Sequence, residues 1–164
     1  MDSPNLGPGL DPDGMRAREL QAHDRYQRHQ ETWGDGPPYF SEGTFDFWQN
    51  IAQGRFTLGH CAACDSRYFP PRVICPSCWS ADAVDLVDTP GVGTVVSYTE
   101  LHTVSTALRP IAPVVMVCVD LAEKVRILTW LLGDDDRGSI AVGSPCRIGV
   151  EEVLGANRFV ARLL

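Results

Sequence analysis

Two cysteine pairs, Cys61-Ala62-Ala63-Cys64 and Cys75-Pro76-Ser77-Cys78, stand ten residues apart in a chain of 164, and no other feature limits its fold as strongly. A C-x-x-C loop places two thiolates on one side of a metal ion, and two such loops on neighbouring hairpins complete a tetrahedral site of four soft ligands. Tyr68-Phe69-Pro70-Pro71-Arg72-Val73-Ile74 can cross between the loops as one extended turn. Cys61, Cys64, Cys75 and Cys78 are therefore expected to hold Zn²⁺. With every position filled by protein, the ion is structural and not a Lewis acid, and it staples a segment too small to fold by core burial alone. Iron, a redox C-x-x-C, and His60 as a substitute ligand beside Cys61 are the competing readings. Cys118 and Cys146 lie inside apolar strand patterns and are expected to be buried, hydrophobe-like thiols.

The remainder of the chain sets the compartment and the class. An apolar fraction of 44% and a charged fraction of 21% are those of a globular protein with a packed core. No stretch reaches the roughly 18 apolar residues of a membrane span. The N-terminus, Met1-Asp2-Ser3-Pro4-Asn5, carries no secretory pattern, so a cytoplasmic, reducing setting is expected. A net charge of −7 argues against nucleic acid as a partner. Lys124 is the only lysine; every other cation is an arginine, suited to fixed contacts with carboxylate or phosphate, though a GC-rich genome produces the same bias.

Read along the chain, residues 1–36 form a flexible tail and then a helical arm over Met15–Trp33, ended by Gly34-Asp35-Gly36-Pro37-Pro38. Residues 37–55 hold a short aromatic helix from Thr44 to Gln53, with Thr44 as N-cap, Asp46 in the first turn and Gly54 as the stop. Its aromatic surface, Phe45, Phe47 and Trp48, packs either on the chain's own core or on a partner. Residues 56–84 are the cysteine module. Over residues 85–164, five strands separated by turn signals are expected: Val92–Leu101, Val114–Leu121, Val125–Leu132, Pro145–Val153 and Arg158–Leu163. Val114–Leu121 is apolar on both faces, as in a central strand. The fold class is thus mainly β: N-terminal helices, a zinc ribbon, then a five-stranded OB-type barrel.

The order Phe47-Trp48, Gly54-Arg55-Phe56, Cys61-x-x-Cys64, Tyr68-Phe69-Pro70-Pro71-Arg72, Cys75-Pro76-x-Cys78 and Gly91-Val92-Gly93-Thr94-Val95 resembles one family over Phe40–Leu164: the acyl-CoA-associated OB-fold proteins with a rubredoxin-like zinc ribbon, long called a domain of unknown function. The resemblance implies an accessory subunit of a thiolase-superfamily complex, in a hetero-oligomer of two and two. Such complexes run thiolytic or retro-aldol C–C cleavage or acyl transfer on acyl-CoA in lipid, steroid or aromatic degradation, and the catalytic groups belong to the partner. The barrel then stabilises the partner and shapes its CoA and substrate channel. The family commonly has glycine after the second cysteine of each pair, where a left-handed backbone turns amides toward the thiolates. Here Asp65 and Trp79 stand there; Asp tolerates that backbone and Trp does not, so the second knuckle is expected to be distorted.

Three functional classes follow. An accessory subunit fits the motif set and the lack of Gly-x-Ser-x-Gly, His-Glu-x-x-His or phosphate-loop signatures. A nucleic-acid module is the alternative that OB barrels and zinc ribbons allow. A free-standing CoA-thioester enzyme needs a positioned base that the sequence does not display. For the first class, Arg109, Lys124 and Arg126, near expected strand ends, are candidate contacts to CoA phosphates, and Phe45, Phe47 and Trp48 a candidate partner interface.

Overall fold

The computed structural model describes residues 42–133 and 138–164. The arm expected over Met15–Trp33 and the acidic turn around Asp134–Arg137 lie outside the described residues. A 3-10 turn, Glu42–Thr44, leads into helix α1, Phe45–Ala52. Thr44 occupies the N-cap position but makes no side-chain cap bond, so the expected hydroxyl cap is not formed. Gly54, at φ +78°, ends the helix as expected and donates its amide to the Ile51 carbonyl. Among the described residues no helix is long and apolar enough to cross a membrane.

Strands β1 (Thr57–Cys61), β2 (Ser66–Tyr68) and β3 (Val84–Asp88) form an antiparallel sheet in the order β2-β1-β3. β3 was not expected from the sequence. Its Val-Asp-Leu-Val-Asp run is half-buried and carries no strong apolar alternation, so only its pairing with all five residues of β1 defines it.

Strands β4 (Val92–Leu101), β5 (Val114–Leu121), β6 (Arg126–Leu131), β7 (Pro145–Val153) and β8 (Ala156–Leu163) close a barrel in the order β4-β5-β6-β8-β7. These are the five expected strands with ends shifted by at most two residues. A bulge between Val95 and Ser97 lets the ten-residue β4 bend and pair with both β5 and β7. The Gly91-x-Gly93 step at its start is a packing requirement. A Cβ on Gly91 would sit 2.0 Å from the Ile148 carbonyl oxygen, and one on Gly93 2.5 Å from that of Asp120. Only glycine lets three strands converge at this closure. Val95, Val117, Val119, Ile127, Ile148 and Val160 fill the interior. β5 corrects one expectation: Val115, Val117, Val119 and Leu121 are buried, but Met116, Cys118 and Asp120 turn outward and are part-exposed. A small barrel has one inner face, so its central strand must alternate.

An aromatic cluster joins helix, ribbon and barrel. Phe159 of β8 lies 6.1 Å from Phe47 of α1, 5.9 Å from Phe56 before β1 and 5.4 Å from Phe69 after β2, measured between ring centroids. These mostly tilted and edge-on pairs add to the burial of their own surface. Asn157 donates to the Ala52 carbonyl at 2.9 Å, closing the helix C-terminus from the barrel side.

Candidate metal centre

The two knuckles bring the four expected ligands together: the Sγ atoms of Cys61, Cys64, Cys75 and Cys78 all lie within 4.8 Å of one another. Cys61 ends β1, Cys64 follows in the turn to β2, and the second pair lies in the loop between β2 and β3. In each knuckle the amide after the second cysteine bonds back to the first: Asp65 to the Cys61 carbonyl at 2.7 Å and Trp79 to that of Cys75 at 3.0 Å. Both residues are left-handed, at φ +56° and +64°. The expected distortion of the second knuckle is therefore absent. Trp79 takes the glycine conformation outright, because at 79% exposure its side chain meets little to obstruct it and the strain is confined to the backbone.

The donor set fits a tetrahedral dication. Cys61 and Cys78, and likewise Cys64 and Cys75, are 3.6 Å apart at sulfur, against about 3.8 Å for thiolates on a tetrahedron with metal–sulfur bonds of about 2.3 Å. The electrostatics agree. The Ser66 hydroxyl, helped by the amides of Cys78 and Ser77, pulls the Cys75 thiol down to about 5. The Ser80 amide draws Cys78 the same way, yet the crowding of Cys64, Cys61 and Cys75 together with burial pushes it up to about 12. Four sulfurs this close cannot all carry charge unless a cation shares the space.

Ser66 was not singled out in the sequence. Its hydroxyl lies 3.1 Å from Cys64 Sγ and 3.3 Å from Cys75 Sγ, bridging the two knuckles. A serine two residues after a C-x-x-C was the available signal, but its role depends on which way β2 points it. His60 is no ligand in this arrangement: its ring nitrogens are each 3.0 Å from a carboxylate, Nδ1 from Asp85 and Nε2 from Asp65. The hydrogen bond to Asp65, reinforced by Asp85, raises its pKa.

The other candidates separate. Arg126 forms a two-pronged pair with Asp120, at 2.6 and 2.8 Å, and this guanidinium holds the Asp120 carboxyl below its usual range. Lys124 is exposed in the same β5–β6 turn, whereas Arg109 lies in the 3-10 turn Thr106–Ile111 before β5. The eight residues of β5 stand between them, roughly 25 Å at about 3.3 Å per residue. The three cations thus form no single phosphate site. Phe47, only 2% exposed, belongs to the aromatic cluster and not to an outer interface, while Phe45 and Trp48 are part-exposed. Cys146 is fully buried, which pushes its thiol up; Cys118, against expectation, sits on the outer face of β5.

Residues 48–84 match the family model described as the ChsH2 rubredoxin-like zinc ribbon domain, and residues 86–151 match that of the ChsH2 C-terminal OB-fold domain. Among known proteins, the chain is similar to a DUF35 domain-containing scaffold protein of Methanothermobacter thermautotrophicus, 33% identical over 98 residues that make up 58% of this chain and 72% of that one. It is also 38% identical over 88 residues to a probable enoyl-CoA hydratase alpha subunit of Thermomonospora curvata, covering 53% of this chain and 27% of that protein. Among solved structures, a chain of the Ltp2-ChsH2(DUF35) aldolase superposes with a TM-score of 0.66 at 30% identity, across 77% of this chain and 98% of that one. A DUF35-family protein of Sulfolobus solfataricus, 15% identical with a TM-score of 0.52 across 92% of this chain and 98% of that one, shares the fold.

Proposed function

The chain belongs to the DUF35 family of ChsH2-like proteins, and on that premise we propose that it is a non-catalytic accessory subunit of a thiolase-superfamily complex acting on acyl-CoA. The observation that supports this reading best is the superposition of ribbon and barrel together on 98% of a chain from the Ltp2-ChsH2(DUF35) aldolase. The words scaffold and enoyl-CoA hydratase subunit in the names of two relatives point the same way.

In this reading Cys61, Cys64, Cys75 and Cys78 would hold one zinc ion, with the single proton of the Ser66 hydroxyl available to one of the Cys64 and Cys75 thiolates. When bound, zinc supplies a cross-link between two knuckles and no reactive position, since all four ligands come from the chain. The aromatic cluster around Phe159 passes that rigidity to the barrel. Contacts to CoA phosphates fall to Lys124 at one end of β5 and Arg109 at the other, with Arg126 contributing only where Asp120 releases it.

The test is copurification of the tagged full chain from its native host at near-native salt, with mass spectrometry of bound proteins and metal analysis of the same sample. A stoichiometric thiolase-like protein and about one zinc per chain are the expected result. A chain recovered alone or with nucleic acid overturns the reading.

A further inference from the structure

On the outside of the barrel, where β6 meets β8, the surface opens into a cavity of about 200 Å³ lined by Trp48, Met116, Leu128, Trp130, Phe159 and Arg158. Among the described residues, β6 and β8 are the one parallel pair of the barrel and share two paired positions, Trp130 with Val160 and Leu131 with Ala161. One residue before these pairs, the Thr129 hydroxyl donates to the Phe159 carbonyl at 2.6 Å. Met116 of β5 and Leu128 and Trp130 of β6 line the cavity from the barrel wall. Leu128, at 61% exposed, is among the most solvent-accessible large apolar side chains of the barrel.

Arg158 is the single charge in this apolar lining. Its guanidinium stacks over the Trp130 ring at 5.4 Å and its Nε donates to the Val153 carbonyl at a long 3.4 Å. It meets no carboxylate among the described residues, whereas Arg126 and Arg162 are each held by one. Partial burial lowers its pKa, the sign of a cation short of solvent and without a counter-charge. A flat, part-buried guanidinium beside aromatic rings is matched by a carboxylate, which its remaining fork of N–H groups can grip in two places.

Size decides between a small molecule and a protein. Sites for whole ligands run to about 300–1,000 Å³, and a cavity of about 200 Å³ falls short of that range. Its volume suits one large apolar side chain with a carboxylate next to it. We propose that this groove receives a segment of the thiolase-like partner in which an apolar side chain fills the cavity and a neighbouring Asp or Glu, or a C-terminal carboxylate, pairs with Arg158. This rests on the accessory-subunit reading and assigns that reading a docking point, which the sequence-based choice of Phe45, Phe47 and Trp48 reached only at Trp48.

The experiment measures affinity between the purified full-length zinc-loaded chain and the purified partner, using wild type and three variants: Arg158→Gln, Leu128→Glu and Leu128→Lys. Zinc content and melting temperature of each variant check the fold, and Leu128, being exposed, can change without disturbing the core. Expected are losses of about tenfold or more for Arg158→Gln and Leu128→Glu, and a clearly smaller loss for Leu128→Lys, because the incoming segment is anionic. Equal binding by all four chains overturns the groove and leaves the accessory reading standing. No binding by wild type removes both. If benzoate raises the melting temperature of wild type but not of Arg158→Gln, while partner affinity is unchanged across the set, the cavity is a small-carboxylate site and the docking proposal is wrong.

Discussion

In the ribbon, strands of five, three and five residues enclose a cluster of Cys61, Tyr68 and Cys75, two of whose three side chains are candidate metal ligands. In the barrel, strands of six to ten residues enclose Val95, Val117, Val119, Ile127, Ile148 and Val160, none of them polar. The same backbone chemistry is thus stabilised in two ways. Burial suffices where five strands wrap one apolar interior, and a coordinated ion adds to it where three short strands bury little beyond Leu58, Tyr68 and the cysteines. Phe159 and its aromatic neighbours are the seam between the two regimes, so the regions should respond differently to the same insult.

Removal of metal gives the largest expected difference. Chelation, or Cys75→Ser, should unfold the ribbon, since zinc binding to such sites contributes on the order of 10 kcal/mol. The barrel strands should persist, and amide exchange resolved by residue checks this: fast exchange over 57–88 with protection retained in β4 to β8. Uniform loss of protection would show that the barrel depends on the ribbon after all.

The converse experiment is Ile127→Ala. Ile127 is 1% exposed inside the barrel, so the cavity left behind should cost about 2–5 kcal/mol, read as a lowered urea midpoint with zinc content per folded chain unchanged. Trp79→Gly should act in the opposite direction. It relieves a left-handed non-glycine residue at φ +64° and should stabilise the zinc-loaded ribbon by about 1 kcal/mol, seen in the rate at which a chelator strips the metal. A loss of stability instead would mean that the exposed indole packs on something.

The smallest effect belongs to the barrel surface. Arg162 donates to Glu151 at 2.6 Å and holds its carboxyl below the usual value. The folded pKa is depressed, so this pair adds stability above the ordinary carboxylate pKa and loses it as pH falls through the folded value. Both groups are partly solvated, which limits the effect to less than about 1 kcal/mol. Urea unfolding at neutral and acid pH should show a shallower acid loss for Glu151→Gln than for wild type.

Much of this was legible in the residues. Strand ends in the barrel are marked by Pro90-Gly91, Ala122-Glu123-Lys124 and Leu154-Gly155, local signals that do not wait for tertiary context. The four cysteines are legible for a similar reason, since their spacing encodes a geometry. β3 was missed because nothing in Val84–Asp88 distinguishes an edge strand from a loop until β1 is beside it. Ser66 and Arg158 were missed because each acquires its meaning from neighbours far away in sequence, Cys75 for the first and Trp130 for the second.

By itself, then, the sequence determined the five barrel strands, the short aromatic helix and the four-cysteine ligand set, all of which depend on signals set by local spacing and backbone conformation. Only the tertiary structure decided which aromatic of α1 is core, that a glycine is required at positions 91 and 93, and that Arg158 stacks on Trp130 with no carboxylate partner among the described residues. Those outcomes depend on the order in which strands close the barrel, and strand order is a property of long-range pairing that no local pattern carries.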